Sequence, residues 1–181
     1  MRVFRVLRAA FGRAPFDGEG SYRFGGRWSS AGVRVVYASE HQSLAMLEYF
    51  VHLDPEDAPD DLILATADVP DKISRERVKL ADLPANWRGI PAPPEIAQIG
   101  DDFVKKAETC VLLVPSALAT HENNCLINPQ HPEFKEITQN ATEPLRYDPR
   151  MFQGSPRRVK HRKKRLSSRR NHVGEESTIC V

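Results

Sequence analysis

The stretch "VRVVYASEHQSLAMLEYFVH" (residues 33–52) sets the character of the fold. Its first six residues are mostly β-branched or aromatic, which predicts a strand over residues 33–38. Ser39 and Gln42 have the spacing of a capping box, so we expect them to open a helix that runs to about His52. A strand followed at once by a helix indicates a fold that uses both kinds of element.

Further apolar runs predict the remaining elements. Strands are expected over residues 2–8, 62–69 and 110–115, because each run is rich in β-branched and aliphatic side chains. A helix is expected over residues 94–108, where a proline and acidic residues occupy the first turn. Strands and helices are both expected and no internal repeat is present, so we expect a single domain.

Two segments are expected to be irregular. "FDGEGSYRFGG" (residues 16–26) has four glycines in eleven residues, and glycine supplies the backbone angles that tight turns require. "NNCLINPQHPEF" (residues 123–134) is polar and interrupted by prolines around a short apolar core. We expect a loop with a definite shape over residues 16–26.

The net charge of +2 conceals a division of the chain near residue 152. Residues 153–181 carry nine Lys and Arg against two Glu, whereas residues 1–152 carry seventeen against twenty-two Asp and Glu. The basic segment has few apolar side chains, so burial cannot offset the entropy of ordering it. We therefore expect a domain over residues 1–152 and a disordered basic tail over residues 153–181.

Several kinds of site are disfavoured by spacing. The glycines of residues 16–26 fit neither the G-x-G-x-x-G nor the G-x-x-x-x-G-K-[ST] nucleotide motif. Ser116 lacks the G-x-S-x-G turn that activates a hydrolase serine. His121, Cys125 and His131 match no standard zinc spacing, so no metal is expected.

Cysteine usage and hydropathy bear on the compartment. Cys110, Cys125 and Cys180 are too few and too scattered for a disulfide framework. No apolar run approaches the roughly 18 residues that a membrane helix requires. We expect a cytoplasmic protein that has no membrane contact.

Glu48 is a candidate for chemistry because of its place on the predicted helix. Leu44, Leu47 and Val51 define the expected buried stripe, and Glu48 lies at the edge of that stripe. A carboxylate there would be partly desolvated, which costs free energy unless a hydrogen bond or positive charge compensates. The alternative is an ordinary Glu whose stem leans on the core while its carboxylate stays hydrated.

Three other side chains lie near the expected ends of elements. Arg27 follows Gly25 and Gly26, so a constrained turn presents a guanidinium suited to a phosphate, unless it binds loop carbonyls or a nearby Asp. Tyr37 ends a strand and either presents its ring to a ligand or packs in the core. Ser116 follows a buried strand and is either a hydrogen-bonding residue or a turn residue. These residue types alone specify no reaction.

Separated motifs, in order, resemble those of the RES-domain toxins of bacterial toxin–antitoxin pairs. The motifs are "GGRW", "VVYAS", "LAMLEYF", "VPSA" and "NPQHP". The family is named for an arginine, a glutamate and a serine, which fall on Arg27, Glu48 and Ser116. By the same resemblance, Tyr37 is a further pocket residue, and Asn128 matches a motif position that we expect to bind substrate.

The resemblance covers about residues 2–152 and implies a single compact α+β domain with a fold similar to that of ADP-ribosyltransferases. It implies NAD as substrate, no bound cofactor, and cleavage of the nicotinamide–ribose bond by hydrolysis or phosphorolysis, which causes growth arrest. Arg27 would hold the pyrophosphate or ribose, and Glu48 would orient the ribose hydroxyls and offset developing positive charge. Tyr37 would pack on nicotinamide, and Ser116 would hydrogen-bond the ligand.

The same resemblance implies a helix-turn-helix antitoxin that covers the pocket entrance. Transfer of ADP-ribose to a protein target is an alternative activity within the family. From a different class, the run "RRVKHRKKRLSSRR" in the tail would bind nucleic acid by neutralising phosphates. Nucleic-acid contact is otherwise expected only through the antitoxin, and association into a homo-oligomer stays open.

Overall fold

Segments from distant parts of the chain meet in one sheet. A computed structural model describes residues 1–54 and 59–152. In chain order the elements are β1 (Arg2–Arg8), α1 (Glu19–Phe24), β2 (Val36–Ser39), α2 (Gln42–Phe50), β3 (Leu62–Asp68), β4 (Arg75–Arg77), α3 (Pro94–Lys106), β5 (Val111–Pro115), β6 (Asn123–Ile127), β7 (Thr138–Gln139) and β8 (Glu143–Pro144). The expected disordered tail lies outside the described residues, and the domain boundary at residue 152 stays a prediction.

The strand order is β4-β5-β6-β2-β1-β3-β7, and β8 also pairs with β3. The β4–β5 pair is parallel, whereas the other pairings described are antiparallel. β2 lies in the middle of the sheet, where Tyr37 is opposite Leu126 and Ser39 is opposite Asn124. The centre of the sheet therefore joins two segments that are far apart in sequence.

Side chains from alternate positions of the strands fill separate parts of the core, as the two-residue period of a strand requires. On β6, Cys125 and Ile127 pack in one cluster, whereas Leu126 packs on the other face with Ile96 and Phe103 of α3. The residues that α2 buries in a third cluster are Ala45 and Tyr49, which pack with Val6, Leu62 and Leu64. The register places Val6 and Tyr37 on the same face, so α2 and α3 cover that face side by side.

The α+β fold is confirmed, and most predicted elements are present. β1 has the expected bounds, and β3, β5 and α3 differ from expectation by at most two residues at an end. The predicted strand over residues 33–38 is found as β2, which starts and ends later than expected. These elements were predictable because their own residues carry the apolar pattern.

The predicted capping box is wrong. The residue that precedes α2 is His41, and no side chain caps this end of the helix. Ser39 belongs to β2 instead, and its Oγ donates to Asn124 Oδ1 at 2.7 Å. The serine is occupied by the neighbouring strand and cannot cap a helix.

The predicted buried stripe of α2 is also wrong in part. Leu44 is buried as expected, whereas Leu47 and Val51 are 37% and 50% exposed. The buried face is rotated and comprises Leu44, Ala45, Glu48 and Tyr49. Glu48 is thus within the buried face of the helix, not at its edge.

Both segments expected to be irregular contain regular structure. Residues 123–127 form β6, whose buried side chains are supported by pairing with β2 and β5. Residues 19–24 form the short helix α1 between Gly18 and Gly25, which have φ angles of 71° and 70°. The glycines therefore mark the two ends of α1.

Candidate active site

Glu48 is held inside the molecule by two hydrogen bonds. The residue is 7% exposed, and its Oε1 accepts from Ser116 Oγ at 2.7 Å and from Asn124 Nδ2 at 2.6 Å. Hydrogen bonds to a charged group stabilise it by about 1.5–3 kcal/mol each, which offsets the cost of burying a carboxylate. Both donors reach Oε1, and no described residue donates to Oε2.

The two donors are themselves fixed by their neighbours. Ser116 Oγ accepts from the backbone N–H groups of Leu118 and Ala119, both at 3.0 Å. Because its lone pairs receive these bonds, its single proton is directed to Glu48. Asn124 Oδ1 accepts from Ser39, which leaves its amide group to donate to Glu48. This arrangement suits Ser116 to orienting Glu48, and it gives the serine no general base other than that carboxylate.

Arg27 lies close to Glu48 and is half-buried. Its Nη1 donates to the carbonyl oxygens of Trp87 at 2.8 Å and Gly89 at 3.2 Å. Burial lowers the pKa of the Arg27 guanidinium, and the charge of Glu48 opposes that shift. The expected alternative of loop carbonyls as partners is therefore observed. No described residue accepts from Nε or Nη2, so the guanidinium retains donors for an anion.

Tyr37 anchors the turn that carries Arg27. Its hydroxyl accepts from the Trp28 backbone N–H at 3.0 Å and contacts Ser29 Oγ at 2.9 Å. The residue is 5% exposed and packs in the cluster beneath α3. Tyr37 is nevertheless one of the residues that line the small pocket in front of Glu48. Tyr37 thus serves the core and the pocket wall together, and its hydroxyl is used by the protein itself.

The pocket in front of Glu48 has a volume of about 20 Å³ and is lined also by Tyr37 and Asn124. Arg5 and Val6 of β1 also line it, and both line a neighbouring cavity of about 400 Å³. Glu48 thus lies in a small pocket next to a larger cavity. That arrangement is typical of a site that binds a small molecule.

A family model described as "RES domain" matches residues 2–148. The chain belongs to the RES family. Solved structures that resemble this RES domain include the MbcT–MbcA toxin–antitoxin complex of M. tuberculosis, with a TM-score of 0.63 and 20% identity. That match covers 84% of this chain and 86% of the other and concerns the fold.

Curated relatives of the RES domain are named as toxins. One is the "Prs ADP-ribosylating toxin" of Sphingobium sp. (strain YBL2), which is 38% identical over 75% of this chain and 86% of the relative. Another is "Toxin Res" of Pseudomonas putida, which is 38% identical over 77% of this chain and 94% of the relative. A third, "Toxin Res" of Yersinia enterocolitica, is 32% identical over 83% of this chain and 99% of the relative.

The RES domain brings four of the five predicted site residues together. Glu48 and Tyr37 line the same pocket, Ser116 donates to Glu48, and Arg27 lies within electrostatic range of Glu48. Asn128 lies beyond the other end of β6, where its Oδ1 accepts from the Gln130 backbone N–H at 2.9 Å. The structure does not bring Asn128 to Glu48.

Sequence reasoning missed Asn124 and His52. Asn124 lies on β6, which the proline-rich surroundings concealed, and its neighbour Asn123 offered an equal side chain. His52 lies four residues after Glu48, in the turn that follows α2. Burial lowers the pKa of His52, while the charge of Glu48 raises it and that of Arg27 lowers it. The i, i+4 spacing from Glu48 was the available signal for His52.

Other features of the RES domain do not point to metal or membrane. Within residues 1–54 and 59–152, no group of three His, Cys, Asp or Glu is arranged to hold a metal ion. No helix in this part of the chain has the length and apolar character needed to span a membrane. Cys110 and Cys125 are buried, which raises the pKa of both thiols and makes them poor nucleophiles.

Proposed function

We propose that this RES domain is the toxin of a toxin–antitoxin pair and that it cleaves the bond between nicotinamide and ribose in NAD. The observation that carries the proposal is the buried Glu48 carboxylate, one oxygen of which is held by Ser116 and Asn124 while no described residue donates to the other. Arg27 supplies a neighbouring cation. The names of the relatives support an activity that uses NAD.

The chemistry requires a stabilised cation at the ribose. The bond between ribose C1′ and the nicotinamide nitrogen breaks, and its electron pair leaves with the nicotinamide ring. The sugar acquires oxocarbenium character, which a fixed carboxylate in a site of low dielectric stabilises. Water or phosphate then forms a bond to C1′ through oxygen and loses a proton to the solvent, which gives ADP-ribose or its phosphorylated form.

Each residue of the site has a role in this reaction. Glu48 Oε2 orients the ribose hydroxyls and faces the developing positive charge. Arg27 holds the pyrophosphate or the ribose, since Nε and Nη2 keep donors for an anion. Tyr37 lines the wall against which nicotinamide packs, and Ser116 keeps Glu48 in place. Asn128 binds substrate only if its loop approaches the pocket, so we assign it no step.

The partner follows from the same family. We expect an antitoxin with a helix-turn-helix domain to cover the pocket, and nucleic acid to be contacted through that antitoxin. We expect the toxin to act in the cytoplasm, where NAD loss arrests growth. No tightly bound cofactor takes part, because NAD is the substrate and Glu48 and Arg27 supply the charges.

The test is nicotinamide release from NAD by the purified chain and by Glu48→Gln. The amide keeps an oxygen that accepts from Ser116 and Asn124 but removes the charge. We expect kcat to fall at least about a hundredfold, as when a single charge-stabilising group is lost. Glu40→Gln is the matched control, because Glu40 accepts from Asn123 near the surface. No nicotinamide release by the wild type, or full activity of Glu48→Gln, would refute the proposal.

A second candidate activity is transfer of ADP-ribose to a protein. It is favoured by the relative named "Prs ADP-ribosylating toxin", which is 38% identical to this chain. The same assay separates the acceptors when NAD carries a label on its adenylate. Labelled protein indicates transfer to a target, whereas free labelled ADP-ribose or its phosphorylated form indicates water or phosphate.

A further inference from the structure

The cavity next to the Glu48 pocket has not been assigned a role. Its volume is about 400 Å³, which is within the range of small-molecule sites. Arg5 and Val6 line both spaces, so the two lie next to each other along β1. The cavity is enclosed further by the segment before α1 and by the end of α2.

The two spaces differ greatly in volume. The pocket before Glu48, at about 20 Å³, has room for little more than one water molecule. A dinucleotide cannot be contained there, so most of NAD must extend into neighbouring space. The larger cavity is the continuation that the structure offers.

The walls of the cavity match one half of a dinucleotide. Phe11 is 45% exposed and Tyr49 and Leu53 also line the cavity, which together give an apolar and aromatic surface for a planar base. Arg13 lines the same space, and no described residue forms an ion pair with it. A guanidinium at that position is suited to a phosphate.

Acidic residues also line the cavity, and their charges are partly neutralised. Glu19 forms ion pairs with Arg23 at 2.6 Å and Arg34 at 2.8 Å. Asp17 Oδ1 accepts from the Glu19 backbone N–H, and Asp54 also lines the cavity. His52 lines the cavity as well, and the charges of Glu48 and Arg27 both affect its pKa.

We infer that this cavity binds the adenylate half of NAD, with adenine against Phe11 and the adenylate phosphate facing Arg13. The inference rests on the proposed function, since it names the second subsite of the same substrate. The nicotinamide half lies at Glu48, and the chain of the dinucleotide follows β1 between the two spaces.

Binding of AMP tests the subsite without any reaction. AMP is titrated calorimetrically into the wild type, Arg13→Glu, Phe11→Ala and the control Arg77→Glu, whose residue is exposed on the edge strand β4. We expect Arg13→Glu to weaken AMP binding about tenfold, because an attraction becomes a repulsion, and Phe11→Ala to weaken it severalfold. Arg77→Glu should bind as the wild type does. Absence of AMP binding, or equal affinity in Arg13→Glu and the wild type, overturns the inference.

Kinetics with two substrates test the adenylate subsite independently of the proposed cleavage activity. Nicotinamide mononucleotide lacks the adenylate, so Arg13→Glu should raise the KM for NAD about tenfold and that for the mononucleotide less than about twofold. Equal changes for both substrates overturn the subsite while the cleavage activity stands. AMP binding that depends on Arg13, in a protein that releases no nicotinamide, supports the subsite and overturns the proposed cleavage.

Discussion

At the scale of single residues, the asymmetry of Glu48 is the feature that matters. Two side chains bind the same oxygen, and each is fixed by a further hydrogen bond, from Ser39 to Asn124 and from backbone amides to Ser116. Such a network holds a carboxylate in one orientation before any substrate arrives. The reaction benefits because a preorganised charge needs no rearrangement in the transition state.

Asn124→Ala tests this positioning role. Loss of one donor leaves Glu48 less fixed and Ser39 without its partner, so we expect a kcat about tenfold lower with little change in KM. The free energy of unfolding should fall by about 1–3 kcal/mol, as when buried polar groups lose a partner. Asn123→Ala is the matched control, because the adjacent residue donates to Glu40. Equal loss of kcat in the two variants contradicts the assignment.

At the scale of elements, the sequence predicted the features that depend on residues next to each other in the chain. It did not predict the features that depend on pairing between strands. The apolar runs of β1, β3 and β5 carry their own pattern, so their bounds were close. The bond of Ser39 to Asn124 depends on β6 lying beside β2, and no local spacing reveals that neighbour. The same holds for Asn124 as a site residue. Arg27, Glu48 and Ser116 were placed by family resemblance, since their spacing alone left alternatives open.

At the same scale, α3 contacts the turn that carries Arg27. Asp101 follows Gly100 on α3, and its Oδ1 accepts from the Ser30 backbone N–H at 2.8 Å. A Cβ added at Gly100 would lie 1.8 Å from the Trp28 carbonyl oxygen. The helix and the turn therefore approach so closely that α3 fixes where Arg27 can lie.

Gly100→Ala is expected to displace this turn. The added methyl group must push Trp28 away, which costs about 1–3 kcal/mol of unfolding free energy and lowers kcat/KM through Arg27. The measurements are thermal unfolding and nicotinamide release. Gln98 lies on the same helix and its side chain is exposed. Gln98→Ala should therefore change thermal stability and nicotinamide release no more than other surface substitutions do. A fully active Gly100→Ala would show that α3 does not control Arg27.

At the scale of the whole molecule, β1 ties the first residues to the centre of the sheet. Arg2 on β1 donates to Asp68 on β3 through Nε at 2.8 Å and Nη2 at 2.9 Å. Asn140 Nδ2 also donates to Asp68, at 3.1 Å, and joins the segment after β7. One carboxylate thus connects three parts of the chain that are distant in sequence.

Stability should depend on the charge of Asp68 in acid. Hydrogen bonds from Arg2 and Asn140 lower the pKa of Asp68 from 3.8 to about 2. A lowered pKa in the folded state means that the stabilisation is complete above pH 3.8 and is lost as the pH falls towards about 2. The free energy of unfolding, measured with urea, should therefore change less with pH across that window in Asp68→Asn than in the wild type. Asp60→Asn serves as the control, and an unchanged slope in Asp68→Asn would contradict the linkage.

The central position of β2 between β1 and β6 also bears on how the protein is made. Arg27, Tyr37 and Glu48 leave the ribosome early, whereas Ser116 and Asn124 emerge about seventy residues later. Until β6 pairs with β2, Glu48 has neither of its donors, and pairing between such distant segments is slow. A nascent or truncated chain that stops before Asn123 carries no assembled site. Synthesis of the chain thus includes an interval in which Arg27, Tyr37 and Glu48 are present but the site around them is not yet assembled.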